Sequence, residues 1–73
     1  MTEARFVICI DNSDFPASLE KRKLYRVVPD PDAAKISQIR VVDESGEDYL
    51  YPAACFISAD LSREALDAVG KVA

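Results

Sequence analysis

The sequence contains no histidine and no tryptophan, and its 73 residues include only two glycines and two cysteines. Without histidine, the chain lacks the side chain that most often transfers protons near neutral pH, and it can form neither a Ser-His-Asp nor a Cys-His pair. Gly46 and Gly70 stand too far apart to form a glycine-rich phosphate loop. These absences predict a protein that is not an enzyme and that needs no cofactor.

The two cysteines, Cys9 and Cys55, lie within apolar runs and far apart in the sequence. Small secreted domains that depend on disulfides carry denser cysteine patterns, and neither cysteine here has the neighbouring ligands of a zinc site. We therefore predict buried free thiols. The sequence does not establish the geometry that a disulfide between them requires.

The formal net charge is -4, and Lys21, Arg22 and Lys23 form the only basic run. Because nucleic-acid affinity comes mainly from phosphate neutralisation by lysine and arginine, nucleic acid is not the expected partner. No apolar run approaches the ~20 residues that span a bilayer, and no charged stretch leads into an apolar leader segment. The chain is expected to be cytoplasmic, with no membrane contact.

Five short apolar or alternating runs, separated by turn residues, predict a small all-β domain. The chain is short enough for one domain over residues 1–73. The runs are RFVICID, KLYRVV, IRVVDE, EDYLY and CFIS. We interpret residues 5–58 as a five-stranded barrel, since closing the sheet would remove the edges that invite aggregation.

The connections between these runs are less regular than the runs themselves. DFPASLEKRKL could start a helix with a cap at Ser13 or Asp14, but its large apolar residues form only a thin stripe. A long loop with one helical turn is favoured there, and a helix across residues 15–24 stays the alternative. AAKISQ can form another helical turn, and the spacing of apolar residues predicts a C-terminal helix over residues 60–72.

The stretch DESGEDYLY places four acidic residues around a Ser-Gly pair. It predicts a tight hairpin turn in which Gly46 adopts a positive φ. A calcium site is the alternative, but the EF-hand spacing is absent and adjacent strand residues point to opposite faces. We interpret the acids as exposed turn residues and predict no metal site.

Parts of this sequence resemble a group of short bacterial and phage-type proteins of SH3-like β-barrel fold. Over residues 6–58, the motifs of that group match Asp11 and Asn12; Leu19, Lys23, Tyr25 and Val27; Val41, Asp43 and Gly46; and Tyr51, Pro52, Ala53 and Phe56. The resemblance implies an architecture and no catalytic residue. Arg22 departs from the group, which has glycine there, and this leaves open whether a tight turn precedes the second strand.

Binding is the function that remains. Peptide recognition by an SH3-type domain needs an aromatic groove, although Tyr51 and Phe56 fit the barrel core better, with Tyr49 half exposed. We predict a binding or adaptor domain that contacts another protein. The alternative is a weak nucleic-acid-associated module in which Tyr25 stacks beside the basic run. The candidate partner-binding residues are Lys21, Arg22, Lys23, Tyr25 and Tyr49.

Overall fold

A computed structural model of the chain describes residues 5–59, 62–65 and 68. These residues form short antiparallel strands with little helix, so the fold is predominantly β. The strands are β1 (Phe6–Cys9), β2 (Leu24–Arg26), β3 (Gln38–Val42), β4 (Asp48–Pro52) and β5 (Phe56–Ala59). A short helix, α1 (Pro31–Lys35), precedes β3, and a 3-10 helix (Ala53–Cys55) joins β4 to β5.

The strands form a three-stranded sheet in the order β2-β1-β5 and a two-stranded sheet of β3 and β4. An isolated bridge between Val27 and Val41 links the two, and the Val28 amide donates to the Arg40 carbonyl at 2.9 Å. Among the described residues no pairing between β4 and β5 closes the sheets into a ring. The closed five-stranded barrel therefore stays a prediction.

One core cluster lies between the two sheets. Strand β1 contributes Val7 and Cys9, and the second sheet contributes Val41 and Tyr51. Phe6, on the other face of β1, is also buried, whereas Ile10 beyond the strand is 42% exposed. The apolar run of β1 is thus covered on both faces only at its beginning.

The segment between β1 and β2 is a loop with turns rather than a helix across residues 15–24. Its one helical turn is closed by the Leu19 amide, which donates to the Phe15 carbonyl at 3.0 Å. The predicted loop with a single helical turn is confirmed. Leu19, at the end of that turn, is only 1% exposed and belongs to the core.

A tight turn does precede β2, although Arg22 replaces the glycine of the resembled group. Arg22 adopts a φ of 72°, in the left-handed region, and its amide donates to the Cys9 carbonyl at 2.7 Å. A residue with a Cβ is disfavoured in this conformation, and glycine is not. The chain retains the turn at the cost of backbone strain.

We expect Arg22→Gly to raise the free energy of unfolding by about 1 kcal/mol, because glycine relieves the strain at a positive φ. Urea denaturation monitored by circular dichroism measures the change. Lys21→Gly is the matched control, since Lys21 is exposed in the same turn but has no positive φ. Equal destabilisation by both glycines would contradict the strained conformation.

The remaining connections lie where the sequence predicted turns and a helical turn. The hairpin between β3 and β4 turns at Gly46 with the expected positive φ, here 84°. Helix α1 confirms the helical turn predicted in AAKISQ but begins earlier, at Pro31, where Asp30 caps it by accepting from the Ala33 amide at 3.1 Å. A proline at the first helical position loses no hydrogen bond, which explains the earlier start.

The predicted C-terminal helix over residues 60–72 lies mostly outside the described residues. Residues 63–65 and 68 are helical, and the Ser62 hydroxyl accepts from the Ala65 amide at 3.1 Å as a cap. No helix in the described part of the chain has the length and apolar character to cross a bilayer.

Candidate binding groove and its supporting network

The basic run lies in the turn before β2, where all three side chains are exposed. Lys23 pairs with Glu44 of the β3–β4 hairpin at 2.7 Å, and its ammonium nitrogen lies 5.9 Å from the centre of the Tyr25 ring. The pairing with Glu44 raises the pKa of Lys23. The structure thus brings Lys23 and Tyr25 together, with one of the three cations already neutralised by an acid.

Tyr25 is buried and does not offer its ring to solvent, since it is only 4% exposed. Its hydroxyl donates to Glu44 at 2.5 Å and accepts from the Glu20 amide at 2.6 Å. Burial, together with the hydrogen bond to Glu44, raises the pKa of this phenol well above its usual range. Tyr25 therefore ties the first loop to the hairpin, and its position does not support base stacking.

Tyr49 belongs to a different part of the surface. No hydrogen bond, ion pair or ring contact in the described part of the chain joins it to the basic run or to Tyr25. Its ring is 48% exposed, as predicted, and its hydroxyl donates to Glu47 at 2.7 Å. This hydrogen bond raises the pKa of Tyr49.

Tyr49 lies at an open cavity of about 440 Å³ between the β1–β2 loop and strand β4. We call this cavity the aromatic groove. Leu50, which follows Tyr49 on β4 and is 39% exposed, also lines the cavity, although its side chain points to the opposite face of the strand from Tyr49 and Tyr51. The groove is lined by Phe15, Ser18, Asp43, Ser45, Tyr49, Leu50 and Tyr51.

The floor of the groove is held in place by aromatic contacts with the core. The rings of Phe15 and Tyr51 meet edge to face, with centroids 5.0 Å apart, and Tyr51 packs in the same way on Phe56 at 6.3 Å. Both Tyr51 and Phe56 are buried, as the sequence predicted. Such pairs prefer this geometry, so the floor is preorganised.

The interpretation of the hairpin acids as exposed turn residues is wrong for Asp43, which is only 7% exposed. Its carboxylate accepts from the Tyr51 hydroxyl at 2.6 Å, from the Ser45 amide at 2.8 Å and from the Ser45 hydroxyl. Burial raises the pKa of Asp43, but these hydrogen bonds outweigh it and hold the pKa below its usual value. Asp43 therefore stabilises the turn through Ser45 and orients the Tyr51 ring through its hydroxyl.

The other hairpin acids point away from Asp43. Glu44 turns to Lys23 and Tyr25, and hydrogen bonds from both lower its pKa. Glu47 and Asp48 remain at the exposed tip beside Tyr49. Among the described residues no group of three or more acidic or cysteine side chains is placed to hold a metal ion.

The prediction of buried free thiols is confirmed for both cysteines. Cys9 pairs in register with Phe56, the residue after Cys55, so β1 and β5 bring the two cysteines to neighbouring positions. Burial raises the pKa of both thiols, which makes them poor nucleophiles.

Sequence reasoning missed the roles of Asp43, Ser18 and Leu50 in the groove. An aspartate two residues before a serine is a known pattern for a local side-chain turn, so DES could have indicated that Asp43 bonds inward. For Ser18 and Leu50 no comparable pattern exists, because the approach of the first loop to β4 is a tertiary feature.

No protein-family model, curated protein or solved structure matches this chain. The membership implied by the resemblance stays a prediction, and function must be inferred from the side chains themselves.

Proposed function

We propose that this protein is a small, non-enzymatic binding domain that takes an extended segment of a partner protein into the aromatic groove. The observation that carries this proposal is an open groove beside the half-exposed ring of Tyr49, over a floor already fixed by hydrogen bonds and ring contacts. Exposed aromatic side chains on a preorganised surface are characteristic of binding sites, because little entropy is lost when they are covered.

A cytoplasmic SH3-like barrel with a C-terminal helix is the architecture that we propose for this domain. It is supported by the bridge between Val27 and Val41, which connects the two sheets in the strand order β5-β1-β2-β3-β4. Residues from both sheets also share one core cluster, as expected if a single sheet curls around it.

The groove favours a segment that combines an apolar side chain with lysine or arginine. Tyr49 and Phe15 offer apolar contact, and Glu47, which accepts a hydrogen bond from the Tyr49 hydroxyl, adds negative charge beside the groove. The whole chain is acidic, with a net charge of -4, which also attracts a basic partner.

Nucleic acid is the second candidate, supported by the exposure of Lys21 and Arg22. It ranks lower because Tyr25 is buried and Lys23 is paired with Glu44. Retention on a nucleic-acid column that falls steeply with salt would favour this candidate over protein binding.

Selection of random phage-displayed peptides against the purified protein tests the groove. We expect enriched peptides to carry an aromatic or large aliphatic residue beside lysine or arginine. A synthetic peptide of that consensus should shift the amide resonances of Ser45, Tyr49 and Leu50. Its affinity should fall by at least about tenfold in Tyr49→Ala, as expected for an aromatic contact at the centre of an interface.

Ile57→Ala is the matched control, because Ile57 is a large apolar residue on β5 with a similar exposure of 51%. It should leave the affinity within about twofold, a difference of a few tenths of a kcal/mol. The proposal would be overturned by a selection without enrichment, or by peptides whose binding survives Tyr49→Ala but not Ile57→Ala.

A further inference from the structure

A second cavity, of about 270 Å³, lies where the β2–α1 connection meets β3 and the 3-10 helix. It is more enclosed than the aromatic groove and shares no lining residue with it. We call it the arginine pocket. Its main lining residues are Arg5, Val28, Asp30, Ile39, Arg40 and Ala53.

Two arginines approach this pocket from opposite sides. The Arg5 carbonyl accepts from the Val27 amide at 2.8 Å, and the Arg40 carbonyl accepts from the Val28 amide at 2.9 Å. Arg5 and Arg40 therefore flank the same short segment, about two strand spacings or ~10 Å apart at the backbone. Both residues line the pocket, Arg5 from the segment before β1 and Arg40 from β3.

Arg40 is already oriented by the protein. Its Nε donates to the Asp30 carboxylate at 3.0 Å, and the other Asp30 oxygen accepts from the Ala33 amide at 3.1 Å. The hydrogen bond from Arg40 is the main reason that the pKa of Asp30 is lowered. Within the described residues, no hydrogen bond or ion pair engages the terminal amino groups of Arg40 or the guanidinium of Arg5.

We propose that the arginine pocket binds a single carboxylate attached to a short apolar group. The two arginines and Asp30 leave one net positive charge in the pocket, which matches a carboxylate better than a doubly charged phosphate. Guanidinium groups bind carboxylates through paired hydrogen bonds. Val28, Ile39 and Ala53 supply apolar wall, and the cavity is slightly smaller than the ~300 Å³ at which drug-sized pockets begin.

Titration of the full chain with sodium propionate, followed by amide and arginine Nε resonances, tests this site. We expect saturable shifts at Ser37, Gln38 and Arg40, and none with propionamide, which has the same shape without the charge. Arg5→Gln should weaken propionate binding at least about tenfold, because a charged hydrogen-bond donor is lost. Arg26→Gln, the matched control, removes an exposed arginine outside the pocket and should change the affinity by less than about twofold.

A second ligand pair identifies the source of the carboxylate. N-acetyl-Ala-Ala with a free carboxylate, compared with its C-terminal amide, represents the end of a peptide chain. Tighter binding than propionate would support the pocket as a site for a protein C-terminus, and weaker binding would support it as a site for a small free acid.

Three outcomes of the ligand titrations would overturn the proposal. They are no saturable shift with any carboxylate, equal shifts with propionamide, and tighter binding of inorganic phosphate than of propionate. Equal weakening by Arg5→Gln and Arg26→Gln would also overturn it, because it would reveal attraction by general charge. None of these results bears on the aromatic groove, which has different residues.

Discussion

Leu19→Ala is expected to lower the free energy of unfolding by about 3 kcal/mol, a large effect for a residue in a loop. Leu19 is only 1% exposed and is among the largest fully buried side chains of the described residues. Its carbonyl is also held by the Asn12 side-chain amide at 3.0 Å, so the loop cannot easily collapse into the space that alanine leaves. For a domain of this length, whose total stability is of the order of 4 to 10 kcal/mol, the loss should be visible as a strongly lowered urea midpoint.

Ile36→Ala provides the comparison for Leu19→Ala. Ile36 is also a large aliphatic residue outside the strands, but it is 64% exposed, and its truncation should cost less than about 0.5 kcal/mol. Similar losses in both variants would mean that Leu19 is not a core residue.

Asp43→Ala is expected to destabilise the protein by about 3 kcal/mol, because it removes three hydrogen bonds and leaves the buried Tyr51 hydroxyl without its acceptor. Tyr51→Phe should cost less, about 1 to 2 kcal/mol, since it removes one of these bonds. The double variant should cost less than the sum of the two single variants, because the residues interact directly. Urea denaturation of the four proteins gives this coupling.

The pH dependence of stability checks the same residue independently. Because the pKa of Asp43 is lower in the folded than in the unfolded state, its carboxylate stabilises the fold above the unfolded pKa of about 4. That contribution is lost as the pH falls toward the folded pKa. Asp43→Asn should therefore lose less stability between about pH 5 and pH 3 than the wild type.

Asp48→Ala is the control for both measurements, since Asp48 is an exposed carboxylate of the same hairpin. It should change the free energy of unfolding by less than about 0.5 kcal/mol. The role assigned to the Asp43–Tyr51 pair would be contradicted if the losses in free energy of unfolding simply added in the double variant. It would also be contradicted if Asp43→Asn lost as much stability between about pH 5 and pH 3 as the wild type.

Local patterns in the sequence were enough to predict much of the fold. Alternating and β-branched runs predicted all five strands, and Gly46 predicted the hairpin turn that the structure confirms. The two buried cysteines and the half-exposed Tyr49 also follow from local apolar patterns. Whether the sheets close into a barrel depends on contacts between strands distant in sequence, which no local pattern specifies.

The candidate sites were only partly predictable, for the same reason. The sequence predicted Tyr49 and Tyr25 equally as partner-binding residues. The structure leaves Tyr49 half exposed at the aromatic groove and buries Tyr25, while the binding role of Tyr49 stays a prediction. Nothing near Arg5 or Arg40 in the sequence indicates that both line one cavity. Their proximity results from the pairing of three strands.

The sequence by itself determined the character of this molecule: a short, acidic, strand-rich chain without histidine, whose turns are placed by Gly46, by proline and by small polar residues. Only the tertiary structure decided which polar groups are buried. Tyr25 and Glu44 are 19 residues apart yet share a hydrogen bond, and Asp43 is buried because Tyr51 returns to it from the next strand. The physical reason is that strand and turn preferences act over a few residues, whereas the burial of a polar group requires a partner that only the folded chain brings near.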